Sequence, residues 1–186
     1  MIVLKFFYGF FLSLLKKLPF RFLEIFGNIF PEDSYGCKFR GYLYRPFFKK
    51  CGRNLQVGLN VKFEHLKNIQ FGCDVYIGHG SWISGLRGGI VFEDEVMLGP
   101  YVKIVSSNHR FNNRGSARFK QGVGELIHIG YGTWIASGVT ITSGVRIGKC
   151  CLIGAGSVVT KSFDESLVIG GVPAKVLNKN NYEENY

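Results

Sequence analysis

Apolar residues recur at every sixth position through the middle of this chain. The repeat falls into three runs, and every marked position carries an aliphatic or aromatic side chain. The positions are Phe71, Ile77, Ile83; Phe92, Leu98, Ile104; and Ile129, Ile135, Ile141, Ile147, Ile153, Val159. A period of six is neither the 3.6-residue period of a helix nor the alternation of an isolated strand. The pattern therefore favours a solenoid in which each hexad forms one flat side of a coil.

A second regularity concerns the residues four positions after the marked ones. They are small or β-branched at Val75, Ser81, Val96, Val102, Thr133, Val139, Val145, Cys151 and Ser157. Large aliphatic side chains would fill the axis of a triangular coil, and small residues would fit the corners where backbones crowd together. We therefore predict an all-β fold built as a parallel β-solenoid.

The first 30 residues follow a helical pattern instead. Their polar residues stand at steps of mostly three or four, at Lys5, Gly9, Ser13, Lys16, Lys17, Arg21, Glu24 and Asn28. On a helix these positions share one arc of roughly 160°, which leaves a wide aromatic face flanked by cations. Such a face is typical of a helix in a membrane interface. Packing over the open end of the coil, or against a sister subunit, explains the pattern equally well.

The six-residue period breaks between Ile104 and Ile129, where a polar stretch runs from Ser106 to Gln121. Long excursions from a compact scaffold often carry function. A shorter interruption, at 84–89, is as consistent with a tolerated insertion as with any role. We place an N-terminal amphipathic segment at 1–50, the repeat domain at 51–177 with a loop at 105–126, and a polar tail at 178–186.

Charge and cysteine content narrow the possible partners. The 23 Lys and Arg residues against 13 Asp and Glu residues give a net charge of +10, which favours nucleic acid, an acidic membrane surface or a phosphorylated cofactor. The 5 cysteines have no metal-type spacing with the 4 histidines, so we predict no metal site and a reduced, cytoplasmic compartment. The apolar stretch at 2–15 lacks a cleavage site and therefore does not read as a secretory signal.

The C-terminal half carries motifs of a known family. They are Ile129-Gly-Tyr-Gly-Thr-Trp-Ile135, Ile153-Gly-Ala-Gly-Ser-Val-Val-Thr-Lys161 and Gly171-Val-Pro-Ala-Lys175. Over about residues 71–177 the chain resembles the hexapeptide-repeat acyltransferases, especially their galactoside, maltose and xenobiotic acetyltransferase branch. The resemblance implies a left-handed parallel β-helix, with an N-terminal helical segment and a short C-terminal tail. It also implies a homotrimer with active sites between neighbouring subunits.

A catalytic base follows from the same resemblance. The stretch Leu98-Gly-Pro-Tyr-Val-Lys-Ile104 leads to His109, where the related enzymes have their catalytic histidine. Imidazole suits the removal of a proton from a sugar hydroxyl near neutral pH. Ser137 matches the serine that lies beside the acetyl group and is the candidate hydrogen-bond donor to the oxyanion. We expect His79 and Asn108 to bind the acceptor.

Acetyl-CoA is the cosubstrate that the resemblance implies. The positions assigned to it are Trp134, Ser137, Ala155, Thr160, Lys161 and Lys175. Lys175 stands where an arginine is often found, so the charge is kept and the bidentate fork is lost. Asn178 replaces a further arginine of the galactoside enzymes, which puts that contact in doubt unless Lys179 substitutes for it.

Several functions remain open at this point. N-acetylation of a nucleotide-linked amino sugar would use the same base and donor. A zinc lyase like the gamma-type carbonic anhydrases would need a pair of histidines five residues apart among three that converge, a spacing these histidines do not have. A purely structural coil would lack the His109 excursion and the basic C-terminal motif. We predict an O-acetyltransferase with a sugar or glycan acceptor and no nucleic-acid partner.

Overall fold

Two helices precede the solenoid in the part of the chain that the structure describes. The structure, a computed structural model, describes residues 18–110 and 116–179, without the side chain of Phe119. Helix α1 covers residues 18–27 and helix α2 covers Ser34–Tyr44. Asp33 caps α2 by accepting a hydrogen bond from the Gly36 N–H at 2.7 Å, which satisfies one of the amides left unpaired at a helix N-terminus. A 3₁₀ turn at Arg45–Phe47 leads into the first coil.

The rest of the described chain winds through five coils of short strands. The strands of the first three coils are β1 (Lys50–Cys51), β2 (Gln56–Val57), β3 (Lys62–Glu64), β4 (Ile69–Phe71), β5 (Tyr76–Ile77), β6 (Trp82–Ser84), β7 (Ile90–Phe92), β8 (Met97–Leu98) and β9 (Lys103–Val105). A hairpin of β10 (Asn108–His109) and β11 (Gly122–Val123) follows. The remaining strands are β12 (Ile127–Ile129), β13 (Trp134–Ile135), β14 (Thr140–Ile141), β15 (Arg146–Ile147), β16 (Leu152–Ile153), β17 (Val158–Val159), β18 (Leu167–Gly170) and β19 (Lys175–Lys179). Further 3₁₀ turns lie at Leu66–Asn68 and Ala117–Phe119.

The strands stack into three parallel faces. Face A contains β1, β4, β7, β12 and β15; face B contains β2, β5, β8, β13, β16 and β18; face C contains β3, β6, β9, β14 and β17. We call the edge between faces B and C the BC corner (58–61, 78–81, 99–102, 136–139, 154–157 and 171–174). The edge between faces C and A is the CA corner. The predicted left-handed parallel β-helix is confirmed, and the hairpin leaves the solenoid at the CA corner of the third coil.

The predicted repeat positions form the core. All the marked apolar residues, from Phe71 to Val159, are at most 1% exposed. The small residues four positions later are also buried, and Cys151, at 2%, is the most exposed of them. Phe71 and Phe92 stack in parallel at 4.9 Å along the axis, and Phe48 and Phe63 close the N-terminal end of this column. The six-residue period is therefore the period of the inward-facing side chains.

A buried arginine ties the helices to the N-terminal end of the solenoid. Arg40 of α2 is 0% exposed, and its Nε donates to the Val57 carbonyl at 2.7 Å. Its Nη1 donates to the carbonyls of Gly27, Phe30 and Pro31 just beyond and at the end of α1. Carbonyls at a helix C-terminus lack partners within the helix and attract a cation. The helices therefore cover the open end of the coil, as one reading of the sequence proposed.

Helix α1 and the turn that follows it present apolar side chains that nothing in the described chain covers. Phe22, Ile25 and Ile29 are 62%, 67% and 74% exposed, whereas Phe20 packs into the core cluster. The N-terminal part of the predicted amphipathic segment, residues 1–17, lies outside the described residues. Among the helices that are described, none has the length and apolar character needed to cross a bilayer.

The solenoid ends in a strand that reverses direction. After the BC corner at 171–174, β19 runs antiparallel to β18 on face B. This strand continues through Lys179, two residues beyond the predicted domain limit at 177. The predicted loop at 105–126 occupies the interval between the end of β9 and the start of β12.

Candidate active site

His109 lies on the hairpin that leaves the third coil. In the antiparallel pairing of β10 with β11, His109 is the partner of Gly122 and Asn108 the partner of Val123. Asn108 and His109 are both exposed. The base of the hairpin is anchored at Ser106, which is fully buried and whose Oγ donates to the carbonyl of Leu86 at 3.1 Å. His109 therefore projects from a fixed base into a region that a substrate can reach.

The short loop at 84–89 packs against this base. The Gly88 N–H donates to the Ser106 carbonyl at 3.1 Å, and a Cβ at Gly88 would collide with the Glu125 carbonyl. On the hairpin side, a Cβ at Gly122 would lie 2.8 Å from Nε of Arg87. The two interruptions of the repeat thus contact each other, and the loop at 84–89 supports the strand that pairs with His109. Sequence spacing gave no sign of this contact.

A second group of candidate residues stacks along the BC corner. The His79 carbonyl accepts from the Tyr101 N–H at 2.7 Å, the Pro100 carbonyl from the Gly138 N–H at 2.9 Å, and the Ser137 carbonyl from the Gly156 N–H at 2.9 Å. His79, Pro100, Ser137 and Ala155 therefore occupy equivalent positions in consecutive coils, about 4.8 Å apart. We call this row the BC column.

Ser137 offers an accessible backbone hydrogen-bond donor within this column. Its side chain is exposed, and its N–H has no hydrogen-bond partner among the described residues. Pro100, directly beneath it, has no N–H of its own, so the Ser137 amide is the donor available at this level. A Cβ at Gly99 would come within 2.8 Å of the Ser137 nitrogen; glycine therefore leaves the amide accessible.

Apart from Trp134, the predicted cofactor residues divide between the two edges of face C. Ser137 and Ala155 lie in the BC column, and Lys175 begins β19 directly after the same corner. Thr160 and Lys161 follow β17 and precede Phe163, which bridges to Ile147 of face A, so they lie at the CA corner. The Lys161 Nζ lies 5.5 Å above the Phe163 ring. Trp134 is 44% exposed on face B, between Met97 and Leu152.

His109 and Ser137 are divided in the same way. The hairpin starts at the CA corner and Ser137 lies at the BC corner, with face C between them. About six residues of extended chain cross that face, a span of at most about 20 Å. One chain therefore keeps the candidate base and the candidate oxyanion donor on separate edges.

His79 has a partner that sequence reasoning missed. Its Nδ1 lies 3.0 Å from Oε2 of Glu32, in the connection between α1 and α2, and each side chain is 31% exposed. The other Glu32 oxygen, Oε1, accepts from the Leu59 N–H at 3.2 Å. The Tyr101 ring meets the His79 ring edge-on at 5.3 Å. Since 47 residues separate Glu32 from His79, no local pattern could have paired them.

His128 and Cys151, whose side chain types can also serve as a base or a nucleophile, lie in structural surroundings. His128 lies on face A, where its Nε2 is 2.9 Å from Oε1 of Glu93. Cys151 is buried, and burial raises the pKa of its thiol. Because the thiolate is the reactive form of cysteine, a raised pKa makes Cys151 a poor nucleophile.

The fold is that of a hexapeptide-repeat acyltransferase. Residues 127–161 match the family described as bacterial transferase hexapeptide (six repeats). The chain is 32% identical to the galactoside O-acetyltransferase of Escherichia coli K12, over 76% of this chain and 69% of that protein. It therefore belongs to the hexapeptide-repeat acetyltransferases.

Two solved structures resemble the whole described fold. A maltose O-acetyltransferase from Clostridium difficile 630 superposes with a TM-score of 0.75 at 30% identity, covering 90% of this chain and 88% of that one. A galactoside acetyltransferase in complex with coenzyme A superposes with a TM-score of 0.67 at 27% identity, covering 92% and 86%. Both structures are acetyltransferases, and acyl transfer is therefore the reaction of the family to which this chain belongs.

Proposed function

We propose that this protein transfers the acetyl group of acetyl-CoA to a hydroxyl of a sugar, in a glycan or glycan precursor. The observation that carries the proposal is the BC column, in which the Ser137 amide has no partner among the described residues. Ser137 lies between Pro100 and His79 below and the small residue Ala155 above. The galactoside and maltose acetyltransferases among its relatives support the acceptor class. The coenzyme A complex of one neighbour supports the donor.

In the proposed reaction His109 transfers the proton and Ser137 stabilises the negative charge. His109 accepts the proton of the sugar hydroxyl as its oxygen attacks the thioester carbon. The Ser137 N–H and hydroxyl donate hydrogen bonds to the oxyanion of the tetrahedral intermediate. When the carbon–sulfur bond breaks, His109 returns the proton to the departing thiolate, so that free coenzyme A and the sugar acetate ester leave.

A homotrimer would bring the two edges of face C together, one edge from each of two neighbouring subunits. If the CA corner of one subunit meets the BC corner of the next, His109 of the first subunit approaches Ser137 of the second. Thr160 and Lys161 then line the same groove as Ala155 and Lys175, from opposite sides. Heterologous contacts of this kind form a ring when the rotation between subunits closes. In a closed trimer each groove would hold one donor and one acceptor.

Donor orientation follows from charge. Lys161 and Lys175 are exposed near the C-terminal end of the solenoid, where their ammonium groups can pair with the phosphates of coenzyme A. The pantetheine arm would then run along Ala155 towards Ser137, and Trp134 would border it from face B. The acceptor would enter from the N-terminal side, past His79 and Asn108.

Thiol release from acetyl-CoA across a panel of sugars tests the function. The panel contains galactosides, maltose, nucleotide-linked sugars, lipid-linked sugars and amino sugars. We expect thiol release with at least one hydroxyl acceptor.

The Lys161→Glu, Lys175→Glu variant tests where the donor binds. It should weaken acetyl-CoA binding at least tenfold, because two attractive charge contacts become repulsive.

The controls separate donor binding from folding. The Lys49→Glu, Lys50→Glu variant makes the same charge change on two exposed lysines at the start of the first coil, far from the donor. It should bind acetyl-CoA nearly normally, as judged by calorimetry. If thiol is released only with amino sugars, the reaction is N-acetylation and not O-acetylation. An unchanged dissociation constant for acetyl-CoA in the Lys161→Glu, Lys175→Glu variant would show that these lysines do not bind the nucleotide end of the donor.

Contact with an anionic membrane at the cytoplasmic side belongs to the same proposal. The exposed Phe22, Ile25 and Ile29 of the α1 region support it, as does the net charge of +10, since apolar burial and cationic attraction act together at an interface. We expect the protein to float with anionic vesicles in a salt-sensitive way. The double variant Phe22→Ser, Ile25→Ser should reduce the fraction of protein that floats. Tyr42→Ser, which alters an exposed aromatic residue on α2, is the control; equal flotation of all three proteins, or of none, would exclude membrane contact through α1.

A further inference from the structure

The contact between Glu32 and His79 determines which imidazole nitrogen carries the proton. The carboxylate accepts hydrogen bonds only. Its Oε1 is engaged by the Leu59 N–H, and its Oε2 faces Nδ1 of His79 at 3.0 Å. Nδ1 must therefore carry a hydrogen to make this contact. In the neutral imidazole, Nε2 is then left with a lone pair and no hydrogen.

The free nitrogen is open to a ligand. Nε2 of His79 has no hydrogen-bond partner among the described residues, and it is not an enclosed unpaired atom. The His79 side chain is 31% exposed, and the Tyr101 ring, 56% exposed, stands against it. A hydrogen-bond acceptor beside an exposed aromatic ring suits a polyhydroxylated ligand that offers both hydroxyl donors and C–H surface.

The position of the pair along the BC column assigns it to one half of the groove. His79 lies in the second coil, one coil before Pro100 and two before Ser137, which is about 10 Å from the reacting level. The hairpin with His109 leaves the third coil. Ala155 and the lysines proposed for the donor lie in the opposite, C-terminal direction. A group bound at His79 therefore belongs to the acceptor.

We propose that Glu32 positions His79 as a hydrogen-bond acceptor for a second sugar hydroxyl, one not acetylated, and that this pair selects the acceptor. The inference rests on the proposed function, since it names a contact of the sugar within the same groove. Glu32 acts through His79 and does not touch the reacting atoms. Tyr101 packs against the bound sugar ring.

A Glu32→Gln variant tests the proposal by reversing the proton position on His79. The Leu59 N–H requires an oxygen, so the glutamine amide keeps its oxygen there and turns its NH₂ group towards Nδ1. Nδ1 must then accept, and Nε2 becomes a donor. We expect the KM for the best acceptor of the panel to rise about tenfold, while the KM for acetyl-CoA stays the same. Nitrogen NMR of the labelled histidines should report the change of tautomer directly.

The matched control is Asn28→Ala. Asn28 Oδ1 accepts from the Asn60 N–H at 3.1 Å, so this variant removes a similar link between the helical region and the first coil without touching His79. It should leave both KM values unchanged. If Glu32→Gln behaves like Asn28→Ala in acceptor KM and in tautomer, the proposal is wrong.

Failure of the proposed function gives a different result. If wild-type protein releases no thiol with any sugar, methyl galactoside is titrated against the wild type without donor, and the His79 and Tyr101 signals are followed by NMR. Sugar-dependent shifts that the Glu32→Gln variant lacks support the acceptor site independently of catalysis. Absence of such shifts in the wild type would overturn it.

Discussion

Replacement of His109 by alanine is expected to lower kcat by a factor of about 10² to 10⁴, the usual contribution of a positioned general base. Donor binding should change little, because the proposed role of His109 is to take the acceptor proton, whereas the phosphates of the donor are assigned to Lys161 and Lys175. The loss of rate on the acidic side of the wild-type pH profile, where a histidine base is blocked by protonation, should disappear in the variant. Steady-state kinetics of thiol release measure all three quantities.

His65→Asn is the matched control for this variant. His65 is also exposed, and it has a left-handed backbone conformation that asparagine tolerates well. We expect its kcat to be close to that of the wild type. A folded His109→Ala protein with near-normal kcat would exclude His109 as the base, and His79 would be the next candidate.

The same variant tests whether the site is shared between subunits. Ala155→Trp places a bulky ring in the BC column and should block the donor without affecting the hairpin. If the chain assembles as the proposed trimer, co-expression of His109→Ala with Ala155→Trp gives mixed trimers, in which about one quarter of the interfaces combine an intact His109 with an intact Ala155. Activity should therefore return to that level. Complete inactivity of stable mixed trimers would mean that each site belongs to one chain.

Replacement of Arg40 by methionine is expected to destabilise the fold by about 3 to 5 kcal/mol. The guanidinium is fully buried and donates to carbonyls of Gly27, Phe30, Pro31 and Val57. Methionine retains much of the packing but leaves these buried acceptors without donors, and unmade buried hydrogen bonds are costly. For a chain of this size the Tm should fall by about 10 °C.

Thermal unfolding followed by circular dichroism measures this effect. Arg21→Met is the control, because Arg21 is largely exposed and its ion pair with Glu24 is a surface contact of little net value. Arg40→Lys should lie between the two, since one ammonium group cannot reach all four carbonyls. Equal Tm values for Arg40→Met and Arg21→Met would show that the hydrogen bonds of Arg40 contribute little to holding the helices on the solenoid.

Local periodicity was sufficient to predict most of the solenoid. The repeat positions from Phe71 to Val159 are buried because each sequence hexad corresponds to one face. The same period extends into the first coil at Cys51, Val57 and Phe63, yet eight residues separate Phe63 from Phe71. The 3₁₀ turn at Leu66–Asn68, which follows His65 in a left-handed conformation, inserts two residues and shifts the register. That shift concealed the first coil from a search for strict spacing.

Contacts between distant segments could not be predicted from spacing. Glu32 meets His79 across 47 residues, and Arg40 meets Val57 across 17 residues from a helix to a strand edge. Neither contact belongs to a repeat along the chain, so no pattern in the sequence predicts it. The candidate site residues were located by resemblance, and their roles stay predictions; what the structure adds is their division between two edges of one face.

The reversal of β19 at the C-terminal end has a consequence for self-assembly. A stack of parallel coils ends in an open strand edge, and an exposed edge of this kind is a template on which another molecule can add. On face B that edge is occupied by β19, which runs antiparallel and carries Lys175 and Lys179. A further coil in the parallel register would find no matching strand there, and two cations would repel an incoming copy. Together with the helices over the first coil, the reversed strand limits the solenoid to a discrete particle and opposes end-to-end growth into a fibre.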